Sequence, residues 1–259
     1  MKKFGLIGNP ISRSLSPKLF RAAYPDGGMT YDLIETGTVE EALESFRKNY
    51  DAVNVTAPYK ESAFKAADRA DVISRSLGAT NLLIKKDGRL EAFNTDFWAV
   101  TNILRLHKMR FDDANVLVVG CGGAGKAAAL ASVNLHLTTI LANRSMKRAR
   151  DFCFSTGGIA PISLESIPDQ VQASNIGIII YTVPAAIDSL GKIPLKGKVV
   201  IEANYSNPCL KELCAEKGAL YVPGQEWLVE QALTGFTLMT GTAPDEQVLR
   251  DCCLQQTPC

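Results

Sequence analysis

Glycines spaced as Gly120-x-Gly122-x-x-Gly125 follow the apolar run Val116 to Val119 and precede the Ala-rich stretch Lys126 to Ser132. Between a strand and a helix, the first glycine permits a sharp turn and the second lets backbone approach a pyrophosphate. The third lets helix pack on strand, with the helix N-terminus facing the anion. Gly120, Gly122, Gly123, Ala124 and Gly125 therefore read as the phosphate turn of a dinucleotide site. Lys60 lies just past the apolar run Ala52 to Thr56, at the carboxyl end of a strand, where open α/β sheets place ligands. Asp96 follows a hairpin and precedes the periodic stretch Phe97 to Met109. It reads as the N-cap of that helix, and a carboxylate at a helix start stays ionised and fixed, as an active site requires. Ser14 and Ser16 put two hydroxyls on a loop containing Pro10 and Pro17. Ser16 also reads as an N-cap with Pro17 at the first helical position. The two hydroxyls together suit a polyol or a carboxylate ligand.

The cofactor is constrained by the residues at the end of the second strand of the glycine-turn region, Ala142-Asn143-Arg144-Ser145, with Lys147 and Arg148 beyond. An NAD site needs a carboxylate there for the ribose 2′-hydroxyl, and there is none. Arg144 can fork onto a 2′-phosphate, with Asn143 and Ser145 adding hydrogen bonds, so the expected cofactor is NADP(H). A nicotinamide enzyme acting on an alcohol or ketone also needs a proton donor and acceptor. The two histidines, His107 late in a helix and His136 in a turn before a strand, sit at no strand's carboxyl end and read as structural. The proton is left to Lys60, Asp96 or a tyrosine.

These residues need a scaffold of alternating strands and helices. Strands are predicted at Lys3 to Gly8, Tyr31 to Glu35 and Ala52 to Thr56, with a helix at Thr38 to Asn49, where Thr38 and Glu41 form a capping box. A helix is expected from the Lys60 region to Asp68. Thr80 to Ile84 and Leu90 to Phe93 form a hairpin through Asp87-Gly88. A second α/β unit restarts at Asn115, with strands at 116–119, 139–142, 176–182, 199–202 and 220–222 and a short strand and turn in 161–173. Helices are expected from Gly123, from Ser145 to about Phe154, at 210–217, 225–238 and 246–254, before a frayed tail QQTPC. Alternation of this kind predicts an α/β protein with mostly parallel sheets, the second unit doubly wound.

With 28 basic and 27 acidic residues the chain carries no bulk field, so net charge gives no reason to expect nucleic acid or an anionic membrane as partner. The start MKKFGLIGNP is too short in apolar residues for a signal peptide, and Ile176 to Ile187 is too short and interrupted to span a bilayer. Seven cysteines show no CxxC pairing and no clustering with histidine, so they read as reduced thiols, with no metal site. A cytoplasmic protein is expected, as a monomer or homodimer.

Taken together, GNPISRSLSP, NVTAPYK, GATN followed by a hairpin and NTD, VVGCGGAG with ANRS, and GQEWLVEQA occur in the order and approximate spacing seen in the shikimate dehydrogenases. The chain resembles that family over nearly its whole length. The resemblance implies two domains: a substrate-binding and catalytic domain of residues 1–97 with about 228–259, and a Rossmann-like NADP-binding domain of 98–227, the C-terminal helices returning to the substrate domain. It implies reversible NADPH-dependent reduction of 3-dehydroshikimate to shikimate, on the route to chorismate and the aromatic amino acids. Ser14 and Ser16 would bind the shikimate carboxylate, Thr56, Asn81 and Gln231 its hydroxyls and ring, and Lys60 with Asp96 would form the catalytic pair.

Some positions depart from the family pattern. Arg13 stands for a histidine, Leu82 for a threonine, Ala99 for a glycine and Trp227 for a methionine, and Tyr181 to Pro184 replaces an Asn-Ala-Thr type segment. Two alternatives remain: a quinate/shikimate dehydrogenase with relaxed NAD/NADP use, and a non-catalytic ligand-sensing relative.

Overall fold

The computed structural model describes residues 1–26, 28–108 and 114–254. They form two compact units, Met1–Ala99 with Val229–Cys259, and Val100–Leu228. Met109 and the tail 255–259, for which a helix end and fraying are expected, lie outside the described residues.

The first unit starts with β1 (Lys2–Gly8), α1 (Ser16–Ala23), β2 (Met29–Glu35), α2 (Val39–Asn49), β3 (Ala52–Val55) and α3 (Lys60–Lys65). It continues through β4 (Arg69–Ala70), α4 (Val72–Leu77), β5 (Leu82–Lys86) and β6 (Arg89–Phe93) into α5 (Thr95–Lys108). The sheet order is β2-β1-β3-β5-β6-β4, with β5 antiparallel to both neighbours and the remaining pairs parallel. Thr38 accepts from the Glu41 N–H at 3.3 Å and so caps α2. Asp87 and Gly88 both have positive φ, 49° and 73°, which lets a two-residue turn join β5 to β6. The hairpin strands consequently run closer to the turn than the sequence indicates. One expectation is corrected beyond Lys60. The helix there ends at Lys65, because Asp68 exchanges hydrogen bonds with Leu90 and draws the next residues alongside β6 as β4. Asp71 then caps the unanticipated α4, accepting from the Ser74 N–H at 2.6 Å.

The second unit alternates strictly: β7 (Asn115–Val119), α6 (Gly123–Asn134), β8 (Thr139–Ala142), α7 (Met146–Thr156), β9 (Ile159–Ile162), α8 (Ile167–Ala173). There follow β10 (Ile176–Tyr181), α9 (Asp188–Gly191), β11 (Val199–Glu202), α10 (Lys211–Lys217) and β12 (Leu220–Val222). Residues 167–173 form a helix, where the sequence indicates a turn; Pro168 in its first turn favours that start. All pairings are parallel in the order β12-β11-β10-β7-β8-β9. The strands are buried on both faces, with Val116, Leu117, Val118 and Val119 all at 0% exposure. That explains why β7 reads as a continuous apolar run and not as an alternating one.

α11 (Gly224–Thr240) and α12 (Glu246–Leu254) close the chain. From Val229 onward they belong to the first unit, where Phe236 packs edge-on against Phe20 of α1 and against Tyr31 of β2. Arg250 of α12 pairs with Glu230 of α11 at 2.6 Å. No helix of the described residues is long and apolar enough to cross a membrane, and no group of three His, Cys, Asp or Glu among them could hold a metal ion. The six cysteines described are free thiols.

Candidate active site

In the first unit the carboxyl ends of β1, β3 and β6 share one sheet edge. Because β5 runs the other way, its beginning, with Asn81, comes to that same edge. Here Lys60, the first residue of α3, donates from Nζ to Asp96 Oδ2 at 2.5 Å. The two side chains are 14% and 3% exposed, so the ammonium and carboxylate are held largely out of bulk water. The Lys60 carbonyl accepts from the Thr80 N–H at 3.0 Å, which ties α3 to the segment carrying Asn81.

The capping role expected of Asp96 belongs to Asn94. Its Oδ1 accepts from the Phe97 N–H at 3.2 Å, and its Nδ2 donates to the Ala79 carbonyl at 3.1 Å. Asn94 precedes the first helical residue, Thr95, so Asp96 lies inside the first turn with its carboxylate available to Lys60. Ser16 is likewise no cap. It is the first residue of α1, whose cap position is Leu15 with no side-chain hydrogen bond. Ser14 Oγ accepts from the Ser16 N–H at 3.3 Å, and the two hydroxyls stand 3.2 Å apart. The loop that carries them is fixed by Glu35, whose carboxylate accepts from the Ile11 N–H at 2.8 Å.

Asn81 is 2% exposed and its amide is oriented by backbone: Oδ1 accepts from the Thr95 N–H at 2.7 Å. Nδ2 must then donate, to Thr95 Oγ1 at 2.9 Å and to Gln231 Oε1 at 3.3 Å. Gln231 is thereby turned so that its own NH2 is left to donate elsewhere. Thr56 packs its methyl against Gly8, where a Cβ would come within 2.4 Å of it. Lys60 with Asp96, Asn81 with Gln231, and Ser14 with Ser16 thus form three hydrogen-bonded pairs, and Thr56, just after β3, donates its N–H to the Ile7 carbonyl of β1 at 2.8 Å.

In the second unit the glycine turn follows β7. Gly120 has φ of +104°, and a Cβ on Gly125 would stand 1.9 Å from the Gly120 carbonyl oxygen, so no larger residue fits that helix–strand contact. Gly122 is the N-cap of α6, with no side chain on its N–H groups; a Cβ there would meet nothing within 4 Å. The first-turn N–H groups of α6, those of Gly123, Ala124 and Gly125, lack intrahelical acceptors by construction. This is a cradle that fits a dinucleotide pyrophosphate.

The 2′-phosphate candidates separate in the structure. Arg144 is exposed and makes no hydrogen bond or ion pair among the described residues. Asn143 Oδ1 accepts from the Cys121 N–H at 3.1 Å, and Ser145 caps α7 by accepting from the Arg148 N–H, so both also shape the turn. Arg148 Nε donates to the Cys121 carbonyl at 2.7 Å, and Lys147 pairs with Asp151, which leaves neither as an unengaged cation.

Among proton carriers, Tyr24, Tyr31, Tyr50, Tyr59, Tyr181 and Tyr221 donate their hydroxyls to protein acceptors. Burial, then Cys209 and Glu202 nearby, raises the Tyr181 phenol far above its ordinary range. His136 sits in the turn before β8, at the end of the strand away from the ligand edge, with φ of 58°. Leu82, Ala99, Trp227 and Tyr181, four departures from the expected motifs, are all buried. Glu202, fully buried at the end of β11, belongs to no motif of the sequence; its carboxylate accepts from the Cys209 and Leu210 N–H groups and from Tyr221.

The strand order and glycine turn define the second unit as a doubly wound dinucleotide-binding fold of the Rossmann type. A family model for the shikimate dehydrogenase substrate binding domain matches residues 6–83. The NADP(+) shikimate dehydrogenase of Pyrococcus furiosus is 30% identical over 259 residues, covering 96% of this chain and 94% of that one. Mycobacterium tuberculosis shikimate dehydrogenase superposes with a TM-score of 0.83 at 26% identity, over 98% and 99% of the two chains. The Thermus thermophilus shikimate 5-dehydrogenase solved with NADP(H) and shikimate shares the fold, with a TM-score of 0.83 at 24% identity over 98% and 99%. The chain belongs to the shikimate dehydrogenase family.

Proposed function

We propose that this chain catalyses the reversible, NADP-dependent interconversion of 3-dehydroshikimate and shikimate, with Lys60 and Asp96 as the catalytic pair. The observation that carries this reading is the Lys60–Asp96 ion pair, held at 2.5 Å at the same sheet edge as Asn81 and its partner Gln231. Bound NADPH supplies the hydride. As negative charge develops on the substrate carbonyl oxygen, Lys60 Nζ delivers a proton to it; in the reverse direction the Lys60 amine accepts the hydroxyl proton. Asp96 keeps the Lys60 head group in place, so little reorganisation is needed at the moment of transfer. The first unit takes the substrate role: Ser14 and Ser16 offer hydroxyl donors to the carboxylate, and Thr56, Asn81 and Gln231 face the ring hydroxyls. The orientation of Asn81 makes Gln231 a donor through Nε2.

The second unit takes the cofactor role, with Gly120, Gly122, Gly123, Ala124 and Gly125 around the pyrophosphate and Arg144, Asn143 and Ser145 toward the 2′-phosphate. Seven cysteines without CxxC pairing suit a reducing compartment, which supports the cytoplasm as the setting. The test is a matrix of four rates, shikimate or quinate against NADP+ or NAD+. The shikimate–NADP+ rate is expected to be the largest; a larger quinate rate, or no reduction of either cofactor, contradicts the assignment.

A further inference from the structure

The glycine turn is held from two sides. The Gly120 N–H donates to the Ala142 carbonyl of β8 at 2.8 Å. On the other side, the peptide carbonyl that precedes it, that of Val119, accepts twice from one residue after β10, from the Thr182 N–H at 3.0 Å and from Thr182 Oγ1 at 2.8 Å. Val119 is fully buried, and its carbonyl is already satisfied by the backbone N–H. The hydroxyl is therefore surplus to the sheet ladder. What it adds is a second anchor on the peptide plane between Val119 and Gly120, the plane from which the turn departs.

The same oxygen also fills the space beneath the turn. Thr182 Oγ1 stands 2.6 Å from the position a Cβ would take on Gly120 and 2.9 Å from that on Gly125. Val183 closes the remaining side, its Cγ1 2.8 Å from the Gly120 position. One hydroxyl thus contacts the first and third glycines of the motif together, across the point where the strand order reverses between β7 and β10.

We infer that Thr182 is a positioning residue for cofactor binding: its hydroxyl sets the orientation of the Val119–Gly120 peptide and, through it, the N–H groups offered to the pyrophosphate. This deepens the proposed function and rests on its assignment of the glycine turn to NADP(H). Thr182 touches no reacting atom in the proposed reaction, so its removal acts on cofactor affinity and not on proton transfer.

The experiment compares Thr182→Val, which keeps the shape and loses the hydroxyl, with Thr182→Ser, which keeps the hydroxyl. NADP+ binding is followed by calorimetric titration, KM is determined for NADP+ and shikimate separately, and thermal unfolding is recorded. Thr182→Val is expected to weaken NADP+ binding by about tenfold, the worth of one net hydrogen bond, with KM for shikimate and the pH profile unchanged. Thr182→Ser is expected to stay within about twofold of the parent on the same scale. Parent-like NADP+ affinity in a folded Thr182→Val overturns the inference, as does equal weakening in the serine variant. If the valine variant does not fold, Thr182→Ala carries the comparison, and failure of both to fold makes the hydroxyl a folding element and overturns it too. Failure of the unmutated protein to bind NADP+ instead removes the cofactor assignment itself, and the inference with it.

Discussion

Asn94→Ala separates the two residues competing for the start of α5. Asn94 is 1% exposed and makes two hydrogen bonds that alanine cannot: it accepts from the Phe97 N–H and donates to the Ala79 carbonyl. Loss of the cap costs about 1 kcal/mol. Leaving the Ala79 carbonyl, on a residue that is 0% exposed, without this partner adds roughly 1–3 kcal/mol. The sum, roughly 2–4 kcal/mol, corresponds to a fall in Tm of about 5–15 °C for a chain of this size. Asp96→Asn leaves both of these bonds in place but strips the nearly buried Lys60 ammonium of its counter-charge, a loss of about 3–5 kcal/mol, so its fall in Tm is expected to be comparable. Turnover separates the two: Asp96→Asn loses it strongly, whereas folded Asn94→Ala, with the ion pair intact, stays within about tenfold. Thermal unfolding by circular dichroism and rates at low temperature measure both. If Asn94→Ala leaves Tm unchanged, Asn94 is not the cap, and if Asp96→Asn turns over normally, the assignment of its carboxylate to Lys60 is wrong.

Three further outcomes follow from the geometry. Gly125→Ala places a methyl 1.9 Å from the Gly120 carbonyl oxygen and should abolish NADP+ binding while leaving a shikimate titration intact, since the proposed shikimate ligands belong to the other unit. Arg144→Ala should raise KM for NADP+ by about 10- to 100-fold, the worth of a charge-assisted contact, and leave KM for NAD+ nearly unchanged; equal effects on both cofactors refute the 2′-phosphate role. Alkaline pH should destabilise the second unit through its buried thiols. Burial, then Cys121, pushes Cys153 up to about 11, and burial, then Glu202, pushes Cys214 up to about 11. Thiols kept protonated by folding contribute fully below the unfolded value of about 8.5, and that contribution is lost as pH rises through the folded one. Urea midpoints should therefore fall between those limits, and the fall should shrink in Cys153→Ala and Cys214→Ala.

Features encoded within a few residues are legible in the sequence, and features decided by distant contacts are not. The Asp87-Gly88 turn, the Thr38 cap and the strand–turn–helix around Gly120 depend on neighbours along the chain. The caps expected at Ser16 and Asp96 fail for a different reason. Asn94, Thr95 and Asp96 are all of cap-favouring type, and the choice among them is made by the Ala79 carbonyl, which holds the Asn94 amide from a different segment. Lys60 and Asp96 can each be nominated alone, yet their 2.5 Å pairing across 36 residues depends on β3, β5 and β6 lying side by side. The orientation of Asn81 by Thr95 and the contact of Thr182 with Val119 lie across strand pairings and carry no local signal at all. The short β4 and α4 are invisible in the pattern because two strand residues and six helical ones are too few to show a period.

The central claim is that Lys60 moves the proton while shikimate and NADP+ exchange hydride. It is tested most directly by following NADPH absorbance with shikimate and NADP+ for the unmutated chain and for Lys60→Ala, with shikimate binding to both measured by calorimetry. A steady rise is expected for the unmutated chain and a rate about two to four orders of magnitude lower for the variant, with shikimate still bound. Normal turnover by Lys60→Ala, or no shikimate-dependent rise from an unmutated chain that binds both ligands, contradicts the claim.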